Sequence, residues 1–203
     1  MHARHYILGI DIGQIAQPTA IAIIEQESEH SETGFDSKVT EMRLRYLERM
    51  PADDGYPQLA ERVRELIKGL DDKEQATGPD LIVDITGAGA APVGLMQSQD
   101  FDPISVLITG GAGENRSDDG IWRLAKTELV GTLQVAMQTN KLKVAKKLPL
   151  IATFVEELEN FKMRTPVLKP DDEVWREGQH DDLVFAVGIA SWWADHNIPH
   201  LLP

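Results

Sequence analysis

The stretch YILGIDIGQ, Tyr6 to Gln14, reads as a strand that ends in a carboxylate, Asp11, followed by Gly13 and Gln14. Beyond it, TAIAIIEQE (Thr19–Glu27) reads as a second strand and the polar run Ser28–Ser37 as a loop. Lys38–Glu48 places Val39, Met42, Leu44 and Tyr46 among polar residues, which predicts an amphipathic third strand whose register is disturbed near Glu41. Three strands joined by loops predict an antiparallel meander.

A helix and a fourth strand turn the meander into an α/β fold. Pro57–Leu70 has helical spacing, with Leu59, Val63, Leu66, Ile67 and Leu70 apolar, and Gly78-Pro79 then breaks the chain. LIVDI (Leu81–Ile85) is a short buried-type strand that also carries one aspartate, Asp84. A β-helix-β crossover would bring this strand beside the first in parallel, about 4.8 Å away. Asp11 and Asp84 would then emerge together at the carboxyl end of the sheet, where open α/β folds place their sites.

Further elements are a helical turn at Ala91–Gln97, a strand at Ile104–Ile108 and a polar, Gly-rich loop at Gly110–Asp119. A helix at Leu124–Thr139 and an extended Lys141–Val144 come next. A helix entered through Pro149 runs to about Phe161, and Lys162–Arg176 is expected to form a projecting β-hairpin. TGAGAAPVG (Thr86–Gly94) reads as a tight strand-to-helix turn, because Pro92 stands where a dinucleotide fingerprint needs its third glycine.

The chain has 203 residues, 42% of them apolar, enough for one α/β core, and residues 1–203 are expected to form a single domain. No cysteine is present, which excludes disulfides and thiolate metal sites and fits a cytoplasmic setting. No apolar run reaches the roughly 18–20 residues of a membrane span, and the N-terminus does not read as a secretion signal. The formal charge of −13 argues against a strong free-standing nucleic-acid binder, though not against a local basic patch.

The last helix opens the chemical question. In EGQHDDLVFAVGIASWW, Glu177 to Trp193, an all-round apolar helix begins with Asp181 and Asp182. One aspartate suffices for a cap; a second needs another partner. A buried helix of this length can cross the sheet and bring a carboxylate to Asp11 and Asp84. Oxygen donors without cysteine suit Mg²⁺ or Mn²⁺, and a pair of such ions about 3.5–4 Å apart is the two-metal arrangement for phosphodiester hydrolysis. Adjacent helical residues point about 100° apart, so Asp181 is expected to ligate directly and Asp182 to be a second ligand or to orient water.

Four segments, taken in order, carry a resemblance: YILGIDIGQIAQPTAIAIIE, LIVDITGAGAAPVGLM, IWRLAKTELVGTLQVAMQTNKLKVAKKLPLIATFVEELENF and REGQHDDLVFAVGIASWW. Together they resemble the nuclease domain of tailed-phage large terminase subunits, which cut viral DNA during packaging. The resemblance implies an RNase H-like fold with a mixed central sheet flanked by helices, and the hairpin near the site. It implies a two-metal endonuclease with Asp11, Asp84, and Asp181 or Asp182 on the ions, Asp11 being shared by both. It implies double-stranded DNA as substrate, in the host cytoplasm, with a packaging ATPase domain, small terminase and portal as partners. No G-x-x-x-x-G-K-[ST] motif occurs, so the chain reads as the nuclease part without the ATPase. A Holliday-junction resolvase shares the fold and the acids, and GIDIG also opens actin-like and sugar-kinase nucleotide-binding modules; both stand as alternatives.

Basic residues are candidates for phosphate contact. The resemblance puts Lys126, in WRLAKTEL, close to the site. Lys141 and Lys143 belong to KLKVAKK, four lysines in seven residues, which suits either a solvated edge strand or a DNA contact. His180 is expected to orient a carboxylate or to touch DNA. Trp192 and Trp193 read as core residues.

Overall fold

The first three strands lie edge to edge because each carries an uninterrupted run that one face or the other can bury. In the computed structural model, which describes residues 2–13, 17–29, 38–71, 78–164 and 181–197, β1 (His2–Asp11), β2 (Thr19–Glu29) and β3 (Lys38–Met50) form the antiparallel meander. The register of β2 with β3 shifts twice, at Ile23/Ile24 and at Glu27/Ser28, so Arg45 and Thr40 are the extra residues on β3. The second bulge falls beside Glu41, where the alternation breaks in the sequence. Each bulge re-aims the side chains beyond it. As a result Met42, Leu44 and Leu47 share one core layer, and Arg49, two residues beyond Leu47, faces the same way.

The helix α1 (Tyr56–Asp71) then crosses to β4 (Asp80–Asp84), which pairs with β1 in parallel. A turn with Gly87 and Gly89 at φ 78° and 69° leads into the short α2 (Ala91–Gln97), as the reading of Thr86–Gly94 expects. β5 (Ile104–Thr109), β6 (Glu114–Arg116), β7 (Trp122–Ala125), α3 (Lys126–Gln138), β8 (Leu142–Val144), α4 (Ile151–Arg164) and α5 (Asp182–His196) complete the described elements. The eight strands make one mixed sheet in the order β6-β7-β5-β4-β1-β2-β3-β8. This is an RNase H-like fold.

Three expectations need correction. Glu114–Arg116 is not loop but pairs antiparallel with Trp122–Ala125. Leu124 and Ala125 belong to that strand, so α3 starts at Lys126. Lys162–Arg164 continue α4 instead of opening a hairpin, and the remainder of the expected hairpin lies outside the described residues.

Two apolar layers sandwich the sheet. One, built from Leu8, Ile10, Ile21, Val83 and their neighbours, lies under α1 and α2; the other, containing Ile7, Ala22, Ile24 and Ile82, lies under α3, α4 and α5. α5 is nearly all buried, as its apolar circumference requires. It approaches β1 so closely that a Cβ on Gly9 would sit 2.1 Å from the Ala186 carbonyl oxygen. Its far end is pinned to the sheet by hydrogen bonds from Trp193 Nε1 to Asp80 Oδ2 (2.7 Å) and from Gln26 Nε2 to the Asn197 carbonyl (2.8 Å). Trp192 is buried, and Trp193 is partly buried in the same layer.

On the α1 side, Glu25 accepts hydrogen bonds from Tyr6 Oη (3.0 Å), Arg43 Nη1 (2.9 Å) and Arg45 Nε (3.0 Å). Burial raises its pKa, but these donors outweigh burial and hold it at about 2. A depressed carboxylate stabilises the fold above its unfolded pKa, near 4.5, and that contribution is lost as the pH falls toward 2. Glu25→Gln is therefore expected to flatten the acid limb of a stability-versus-pH profile between those two values. An unchanged acid limb, measured by urea denaturation across that range, would mean that the cluster does not couple folding to protonation.

Candidate active site

Asp11 and Asp84 are paired partners at the carboxyl ends of β1 and β4. Their alignment is set by the crossover and by both strands ending in an aspartate after an apolar run. Asp84 is buried, and its Oδ1 accepts from the Thr86 backbone N–H at 2.8 Å. Thr86 Oγ1 in turn accepts from the Ile108 N–H at 2.7 Å, which ties the turn after β4 to β5. Asp11 is half-buried and lies two residues beyond Gly9, on the α5 side of the sheet. The chain doubles back at Gly13, where a Cβ would come within 2.1 Å of the Gln17 carbonyl oxygen.

The close contact of Ala186 with Gly9 sets the start of α5, one turn earlier, above these strand ends. α5 runs antiparallel to β1 and β4, since its C-terminal Trp193 reaches Asp80 at the beginning of β4. The positive end of its dipole therefore faces the carboxylate end of the sheet.

Asp181 is the N-cap residue of α5 by position but makes no side-chain capping bond. The cap comes instead from α4: Glu157 Oε2 accepts from the Leu183 N–H at 3.2 Å. Asp182 is buried, and both of its oxygens are held by Arg49, at 2.6 Å from Nε and 2.8 Å from Nη2. Arg49 Nη2 also donates to Glu157 Oε1. Arg49 pairs in register with Ala20, and Ala20 with Asp11, so Asp84, Asp11, Ala20 and Arg49 form one row across four strands. Burial and the nearby Asp182 charge raise the Glu157 pKa against the pull of Arg49, to about 7. Burial would lower the Arg49 pKa, but the two carboxylates more than reverse this.

The lysines separate. Lys126 Nζ lies against the rings of Phe161 (4.9 Å) and Phe185 (4.7 Å), beside the first turns of α5. Lys141 pairs with Asp195 near the other end of that helix. Lys143 is exposed on β8, whose partners Met42–Leu44 lie toward the opposite end of β3 from Arg49. The sheet therefore does not bring Lys141 and Lys143 to the carboxylates. His180 lies outside the described residues.

Arg49 and Glu157 were not expected from the sequence. Arg49 reads as one more polar residue on an alternating strand. Glu157 left a signal: it sits on the buried stripe of Phe154, Leu158 and Phe161, where an acid needs a partner.

Among the described residues no group of three or more His, Asp or Glu side chains is gathered closely enough to hold a metal ion. The aligned pair Asp11 and Asp84 nevertheless fits a hard dication. The donors are oxygens, and two carboxylates aligned on adjacent strands suit a cation between them.

No protein-family model and no curated protein sequence matches the chain. Solved structures do. The large terminase nuclease of thermophilic phage G20c superposes with a TM-score of 0.56 at 17% identity, over 92% of this chain and 81% of that one. The human cytomegalovirus terminase nuclease domain, Mn-soaked and inhibitor-bound, gives 0.49 at 14% identity, over 93% and 83% of the two chains. Thermus thermophilus RuvC gives 0.38 at 10% identity, over 94% and 96%. The fold is thus shared with the G20c nuclease along nearly the whole chain.

Proposed function

We propose that this chain is a divalent-metal-dependent DNA endonuclease, the nuclease domain of a large terminase that cuts viral DNA during packaging. The observation that carries this reading is the in-register pair Asp11 and Asp84 beneath the start of α5, in a fold shared with the G20c terminase nuclease. Asp11, Asp84 and Asp181 would hold two Mg²⁺ or Mn²⁺ ions, with Asp11 shared. When bound, the ions supply activation of water and neutralisation of charge on the scissile phosphate. Asp182, gripped by Arg49, keeps its carboxylate in one orientation and would order water beside Asp181 or lend a remaining lone pair. Asp84 is held through Oδ1 by the Thr86 N–H, which fixes the orientation of its carboxylate at the strand end.

Double-stranded DNA is the substrate in this reading, and the packaging ATPase, small terminase and portal are its partners. Lys126, beside α5, and His180 are the proposed phosphate contacts near the site. Lys143, with Lys146 and Lys147 exposed nearby, is proposed as an outlying contact, and Lys141 a weaker one because Asp195 engages it. The host cytoplasm is the proposed location. Among the described residues no helix is long and apolar enough to cross a membrane.

Plasmid cleavage by two variants across a Mn²⁺ titration tests the division of roles. Asp181→Ala is expected to remove activity almost wholly, and Asp182→Ala to weaken it with partial recovery at high Mn²⁺. Full activity in both variants would return the doublet to a structural role, and the reverse order of severity would exchange the two.

A further inference from the structure

We propose that Arg49 and Glu157 are positioning residues which fix the start of α5, and with it Asp181 and Asp182, over Asp11 and Asp84. The inference rests on the reading of those aspartates as the metal site.

Three observations converge on it. An aspartate at an N-cap ordinarily turns its carboxylate back onto the N–H of the second or third helical residue. Here the N–H of Leu183, the second helical residue, goes to Glu157 from another helix, and Asp181 makes no side-chain capping bond. The helix is therefore capped from α4 without using the Asp181 carboxylate. Next, Asp182 is clamped through both oxygens by one guanidinium, a planar fork that fixes orientation as well as position. Lastly, the same Nη2 bridges Asp182 and Glu157, so the two devices are one.

The energetics point the same way. The cluster places two carboxylates against one guanidinium in a largely buried setting, and a buried ion group of this kind is commonly no more stabilising than apolar packing of equal volume. What it supplies is direction. β3, α4 and α5 are tied together at the level of Asp11, because Arg49 stands in the same row across the sheet.

The test uses the full chain with Mn²⁺ as probe. Binding is followed by the loss of the free-Mn²⁺ electron paramagnetic resonance signal, cleavage by conversion of supercoiled plasmid, and folding by thermal melting. Arg49→Lys keeps the charge and loses the fork; it is expected to remain folded and to raise the Mn²⁺ concentration for half-saturation by about tenfold to a hundredfold. Glu157→Gln keeps an acceptor for the Leu183 N–H and should shift half-saturation less than Glu157→Leu. A lowered melting temperature in these variants with native Mn²⁺ half-saturation would make the cluster purely structural and overturn the inference. Should Arg49→Lys unfold, the Glu157→Gln and Glu157→Leu pair decides, and equal half-saturation in that pair overturns it. The reading beneath is judged separately: a native chain that neither binds Mn²⁺ nor cuts removes both, whereas native cutting abolished by Asp11→Asn but unaffected by Arg49→Lys removes only this inference.

Discussion

Asp11→Asn is expected to lower plasmid cleavage by about three orders of magnitude or more while leaving the metal-free domain as stable as the native chain, or more so. The two parts have one cause. Asp11 and Asp84 occupy aligned positions on adjacent strands, so their charges repel in the absence of a cation. Asparagine keeps the shape, removes the repulsion and removes the oxygen donor charge. Mn²⁺ at a hundredfold excess over its dissociation constant adds about 2.7 kcal/mol to the folded state, or roughly 5–10 °C in melting temperature. The native chain should show that rise and Asp11→Asn should not. A variant that unfolds, together with a native chain blind to Mn²⁺, would make Asp11 a structural residue.

Gly9→Ala should be strongly destabilising. A Cβ there would lie 2.1 Å from the Ala186 carbonyl oxygen and 2.9 Å from the Ala190 Cβ, and the first of these is backbone that cannot rotate away. α5 must back off from β1, at a cost of about 3 kcal/mol. The urea midpoint should fall by about 1 M or more. The start of α5 moves with the rest of the helix, and a displacement of about 1 Å in such a site costs about a hundredfold in rate. Gly131→Ala is the matched control: nothing lies within 4 Å of its Cβ, and alanine favours the helix. It should be neutral or slightly stabilising. Equal urea midpoints for Gly9→Ala and the native chain would show that α5 is not seated as tightly as its contacts indicate.

The parts of this fold legible in the sequence are those with long apolar runs. The meander and the crossover helix contain enough patterned residues, and α5 a long enough apolar run, to show their type, and the placement of the two strand-ending aspartates comes from the crossover. The β6–β7 hairpin was not legible. Glu114–Arg116 is three exposed residues, and Leu124-Ala125 runs on into the apolar pattern of α3, which hides the change of period. Of the candidate site, the pairing of Asp11 with Asp84 and the place of the Asp181-Asp182 doublet at the start of α5 were visible. Its supporting residues were not, because Arg49 reaches Asp182 across 133 positions of sequence and no local spacing encodes such a contact. The bulge at Arg45 adds to the difficulty: it shifts the alternation of β3 and turns Arg49 inward.

The most direct measurement is incubation of supercoiled plasmid with the native chain, once in Mn²⁺ and once in Mn²⁺ with excess chelator. The carboxylate pair beneath α5 predicts nicked and linear products in the first reaction and intact plasmid in the second. Cleavage that persists in chelator, or intact plasmid beside a folded chain in saturating Mn²⁺, would contradict a metal-dependent nuclease built on Asp11 and Asp84.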